Sequence, residues 1–110
     1  MSLDIPESDW RVFRELRGIW LNRYCDKVLQ DLQRVASDAK KTPHDRYLAA
    51  YKLIQRRDKE IARAFNDFRR STAITQIAII FSYGLIEEDE LSRFTEQTGS
   101  MVTAFGSPGT

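Results

Sequence analysis

Between Pro6 and Gly84 the chain carries only two residues that disfavour helix, Gly18 and Pro43. Apolar side chains recur at helical spacing on both sides of Pro43. That pattern confines the chain to an all-α fold built on a long antiparallel helical hairpin. Trp10, Phe13, Trp20, Tyr24, Val28, Leu32, Val35 and Ala39 mark a first helix over about 7–40. Asp4 with Glu7 resembles a capping box, and Ser8 is a competing N-cap. Thr42 reads as the N-cap of a second helix, with Pro43 at its first position and acidic Asp45 in its first turn. The second helix is expected over about 43–83 and to stop at Gly84. Its apolar stripe comprises Tyr47, Tyr51, Ile54, Ile61, Phe65, Thr72 and Tyr83, and a break, if present, falls near Ser71–Thr72. The acidic run Glu87-Glu88-Asp89-Glu90 predicts a short helix over about 87–95, because a helix start favours negative charge. Residues 97–110, with Gly99, Gly106, Pro108 and Gly109, read as a flexible tail behind a single helical domain spanning 1–96.

The two helices are not apolar in the same way along their length. Near the Thr42–Pro43 turn each shows one stripe. At the other end Val12, Leu16 and Ile19 lie off the face of Trp10, and Ile74, Ile77 and Phe81 lie off the face of Tyr83. Two helices cannot bury every side of both. Covering is expected from Leu85, Ile86, Leu91 and Phe94 and from a second copy, giving a dimeric four-helix bundle. The expected homodimer interface is Trp10, Val12, Leu16, Ile19, Trp20, Ile74, Ile77 and Phe81. Asp58, Arg69 and Gln76 fall near the centre of the second stripe. They read either as solvent-open positions or as polar contacts between helices that fix register.

Charge narrows the partners. The whole chain is +1, with residues 43–84 at eight basic to four acidic and residues 85–110 at one to five. Lys52, Arg56, Lys59, Arg63 and Arg70 project within about 60° of one another on the second helix. This face reads as a solvated surface, as a dock for an acidic segment of the same chain or of a protein partner, or as a phosphate-binding face for nucleic acid. No spacing typical of a base-reading helix-turn-helix accompanies it.

Chemistry has little to work with. His44 is the single histidine and Cys25 the single cysteine. Neither is set beside a catalytic partner by spacing, and Cys25 reads as a packed thiol. The chain has no Glu-x-x-His pair, no EF-hand spacing and no glycine-rich phosphate loop. The expectation is a non-enzymatic self-association or protein–protein interaction module without catalytic, metal or cofactor residues. A nucleic-acid-associated regulator using the basic face is the alternative. A small-ligand pocket, if any, belongs near Trp20, Phe81 and Tyr83. The greasy run from Ala73 to Ile86 is too short for a membrane span of about 20 residues. The N-terminus lacks a signal-peptide pattern, so a cytoplasmic protein is expected.

Overall fold

The computed structural model describes residues 4–106. Residues 1–3 and 107–110, the ends of the expected domain and tail, lie outside the described residues. The described residues are helical, with no strand among them. Helix α1 (Glu7–Ala36) and helix α2 (Pro43–Phe65) form the antiparallel hairpin. Pro6 occupies the N-cap of α1, so neither the Asp4–Glu7 box nor a Ser8 cap forms. The helix stops at Ala36, short of residue 40. Ser37 bonds back to the Gln33 carbonyl, and the Asp38 carboxylate accepts from the Lys40 amide. Thr42 caps α2 as its sequence dictates, accepting from the Asp45 amide at 3.1 Å.

Helix 2 does not run to residue 83. It ends at Phe65, and a loop and a 3-10 turn (Arg70–Thr72) lead into helix α3 (Ala73–Ser82). The break needs no glycine. Thr72 Oγ1 donates to the Asp67 and Arg69 carbonyls, and Arg69 grips the Asp67 carboxylate at 2.6 and 2.9 Å. Short polar side chains here offer the backbone an alternative to the helical ladder. The loop also places Phe68 on the Trp10 ring, 4.8 Å away, and edge-on to Phe13. The chain direction changes, and the over-apolar segment packs against its own hairpin.

Helix α3 stops at Ser82, and Gly84 just beyond its Tyr83 cap turns the chain away with a φ of +74° that suits glycine. Helix α4 (Glu88–Leu91) starts with a reciprocal capping box between Glu87 and Glu90. The expected flexible tail is instead helix α5 (Glu96–Gly106) through the last described residue. Val102 is fully buried in the core, and α5 packs along α3. Gly106 closes that contact. A Cβ built there lies 2.4 Å from the Ala78 carbonyl oxygen, a backbone atom that cannot turn aside. Gly106→Ala should therefore cost about 1–3 kcal/mol. Urea unfolding checks this, and an unchanged midpoint would contradict the close approach.

The core lies where the sequence is apolar on all sides. Phe13, Leu16, Trp20 and Tyr24 of α1 meet Ala64 and Phe65 of α2, Ile74, Ile77 and Ile80 of α3, and Leu85, Phe94 and Val102. Most of the expected dimer interface is thereby internal. Leu16, Trp20, Ile74 and Ile77 are buried, and Trp10, Val12 and Phe81 pack half-buried against the core. Only Ile19 is exposed. The missing cover is the layer of α3 to α5, which a straight second helix would have left elsewhere.

Candidate interaction surfaces on the helical hairpin

The α3–α5 layer covers only the base of the hairpin. The remainder, nearer residues 37–42, is a two-helix arm of a molecule 53 Å long and 24 Å thick. Polar and apolar contacts hold the arm together. The Arg57 guanidinium donates to Asp31 at 2.6 Å, Arg46 donates to the Ala36 carbonyl at 3.1 Å, and Leu53 is buried between them. The Tyr24 hydroxyl donates to Glu60. Burial, and then the neighbouring Glu60 carboxylate, push the Tyr24 hydroxyl up to about 12.

These contacts fix the rotation of α2. Arg46, Leu53, Arg57, Glu60 and Ala64 lie within about 60° of one another and face α1. Tyr47, Tyr51 and Ile54 then project about 100° away from the packed face. They are 65%, 54% and 47% exposed. The expected core stripe of α2 is thus, over this stretch, a solvent-facing ridge. On α1 the inner positions are Tyr24, Val28, Asp31 and Val35, and Cys25, Leu29, Leu32 and Ala36 lie about 100° round from them. Seen down one axis, antiparallel helices rotate in opposite senses, so equal offsets bring both sets to one side of the hairpin. A shallow groove lined by Ala36, Pro43, Arg46, Tyr47 and Ala50 joins the two rows at the tip. Leu29 is 61% exposed, and Cys25 and Leu32 are half-buried.

The opposite side of the hairpin is basic. Lys52, Arg56, Lys59 and Arg63 are all exposed there, about 100° from the packed face in the other sense. Arg63 lines a groove with Thr75, Ala78, Ile79 and Ser82 of α3 and with Phe105 and Gly106 of α5. Arg70 leaves this row because it sits on the 3-10 turn. It donates to the Ile5 carbonyl at 2.8 Å and to Glu7 at 3.0 Å, tying the start of α1 to the base. The acidic C-terminal segment does not lie along the row. Glu90 and Glu87 instead face Arg23 of α1, at 2.6 and 3.5 Å.

The three polar residues read either as solvent-open positions or as inter-helix contacts are not brought together within the chain. Asp58 is exposed on the apolar side of α2, Arg69 pairs with Asp67, and Gln76 is buried in α3 with its Oε1 unpartnered. The expected ligand pocket near Trp20 is filled. Trp20 is fully buried and its indole donates to Glu90 at 3.1 Å. His44 is exposed in the first turn of α2, away from the half-buried Cys25. Among the described residues no group of three or more His, Cys, Asp or Glu side chains is arranged to hold a metal. Among them, too, no helix is long and apolar enough to cross a membrane. No protein-family model, curated protein or solved structure matches the chain.

Two polar contacts of the base leave no spacing signal in the sequence: Glu90 with Arg23 and Trp20, and buried Asp9 with Thr95 and Thr98. The amphipathic signal of α2 was visible, but it marks the solvent face of the arm. The inner face was readable only as a pair of matches across the turn, Asp31 with Arg57 and Tyr24 with Glu60.

Proposed function

We propose that this protein is a non-enzymatic self-association module that pairs through the apolar side of its hairpin arm. The observation that carries the proposal is the exposure of Leu29, Tyr47, Tyr51 and Ile54 on a segment that the rest of the described chain leaves bare. Isolated apolar residues on a surface are ordinary, whereas a contiguous patch favours a partner. A second copy fits this patch well. It offers the same two apolar rows on two antiparallel helices, and face-to-face pairing of two hairpins closes a four-helix bundle by a two-fold operation. The four-helix core expected from the sequence is retained, but at the arm instead of the base.

The size of the face sets the strength. About 14 residues of each helix give a face about 20 Å long, and two helices make it about 20 Å wide. Pairing then removes on the order of 1,000 Å² in total, the low end for specific interfaces. A reversible dimer in the micromolar range follows. Sedimentation equilibrium across that range tests the reading. The double variant Tyr51→Glu with Ile54→Glu should weaken association at least about tenfold while leaving the helical spectrum intact. A wild-type protein that stays monomeric at high micromolar concentration removes the proposal.

A further inference from the structure

We infer that the basic side of the hairpin, with the groove at its base, docks an acidic polypeptide segment of another protein that carries large apolar side chains. Lys52, Arg56, Lys59 and Arg63 stand in single file over about 16 Å of α2. None of the four forms an ion pair among the described residues. Among the described residues Glu87 and Glu90 pair with Arg23 and Glu60 accepts from the Tyr24 hydroxyl, so these carboxylates do not neutralise the row. A row of cations with no internal partner fits carboxylates spaced along one extended strand or one helix face.

The row ends at a groove of different chemistry. Ala78, Ile79 and Phe105 make its apolar wall, Thr75 and Ser82 add hydroxyls, and Arg63 stands at the edge. Phe105 is 63% exposed although it belongs to a well-packed helix. The closeness of α5 to α3 at Gly106 sets this wall, because any larger residue there would push the helices apart. Exposed ion pairs are individually weak and screened by salt. The apolar side chains in the groove therefore supply the grip, and the cations set its direction. A nucleic acid fits less well. The row is one side chain wide, the whole chain is only +1, and one aromatic ring is a poor platform for stacked bases. The surface lies on the side opposite the self-association ridge, so a dimer would present two such docks without competition.

The test is fluorescence anisotropy at low salt with a labelled peptide of about ten residues, glutamates and aspartates around a central Leu-Phe pair. Saturable binding is expected, and replacing Leu-Phe by Ser-Ser should weaken it at least about tenfold. Protein carrying Arg56→Glu with Arg63→Glu should lose at least about tenfold, as should Phe105→Ser. All three positions are exposed, and circular dichroism confirms that each variant folds. Absence of saturable binding overturns the inference. So does binding that survives both the Ser-Ser peptide and the arginine reversals. A single-stranded oligonucleotide of equal charge that binds more tightly than the peptide also overturns it, in favour of nucleic acid. None of these outcomes depends on dimer formation, which sedimentation reads separately.

Discussion

Asp9→Ala is expected to lower the unfolding free energy by about 3 kcal/mol and the melting temperature by roughly 12–20 °C. Asp9 sits in the first turn of α1 and is 1% exposed. Its carboxylate accepts from the Thr95 amide at 2.9 Å, the Thr95 hydroxyl at 2.7 Å and the Thr98 hydroxyl at 2.6 Å. Those donors stand at the start of α5, so one side chain from the beginning of the chain caps the last helix. Alanine leaves the buried Thr98 hydroxyl without its acceptor and removes both bonds from Thr95, and a charge-assisted bond is worth more than a neutral one. Helix α5 should loosen first, uncovering Ile77 and Ile80 of α3. Thermal unfolding by circular dichroism reads the loss, and hydrogen exchange should show amides 96–106 losing protection before those of α1. A variant within about 0.5 kcal/mol of wild type would mean that Asp9 is not the clamp.

The second large effect is acid sensitivity centred on Glu90. Its carboxylate accepts from Arg23 at 2.6 and 2.9 Å, from the Trp20 indole at 3.1 Å and from the Glu87 amide at 2.9 Å. The Arg23 guanidinium, outweighing the opposing effect of burial, holds the carboxyl at about 2 instead of the ordinary 4.5. A carboxyl depressed in the folded state stabilises that state fully above its unfolded value. The stabilisation therefore stands above about pH 4.5 and is lost as pH falls towards 2. The amount is on the order of 2–3 kcal/mol. Glu90→Gln retains an acceptor for Trp20 but not the charge, so it should destabilise the protein at neutral pH and flatten the acid limb. An acid limb as steep in Glu90→Gln as in wild type would place the sensitivity elsewhere.

What could be read in the sequence was local chemistry. Thr42, Pro43 and Asp45 start α2 because a cap needs only its own turn, and Gly84 turns the chain away beyond α3 because only its own φ is at stake. The hairpin followed from helical spacing with a single interruption. The break after Phe65 was harder to see, because Asn66, Asp67, Ser71 and Thr72 are tolerated in helices when packing favours them. Here packing favours the loop, which brings Phe68 onto Trp10 and returns α3 to the base. Helix α5 was hidden for a related reason. Thr95, Thr98, Gly99 and Ser100 give it weak intrinsic propensity, and its stability comes from Asp9 and from the face of α3. Once α3 is misplaced, Trp20, Ile74 and Ile77 look uncovered and Tyr47, Tyr51 and Ile54 look internal. One missed turn thus exchanged the buried and exposed apolar surfaces. The basic row was less affected, since it depends only on spacing within α2, and it lost only Arg70 to the 3-10 turn.

The most direct test of the self-association face is a dilution series of amide and methyl NMR spectra from millimolar to low micromolar concentration. Resonances of Leu29, Tyr47, Tyr51 and Ile54 should move together with concentration, while those of Ile77, Ile80 and Val102 stay fixed. Spectra that do not change on dilution, or changes centred on α3 and α5, would contradict pairing through the hairpin arm.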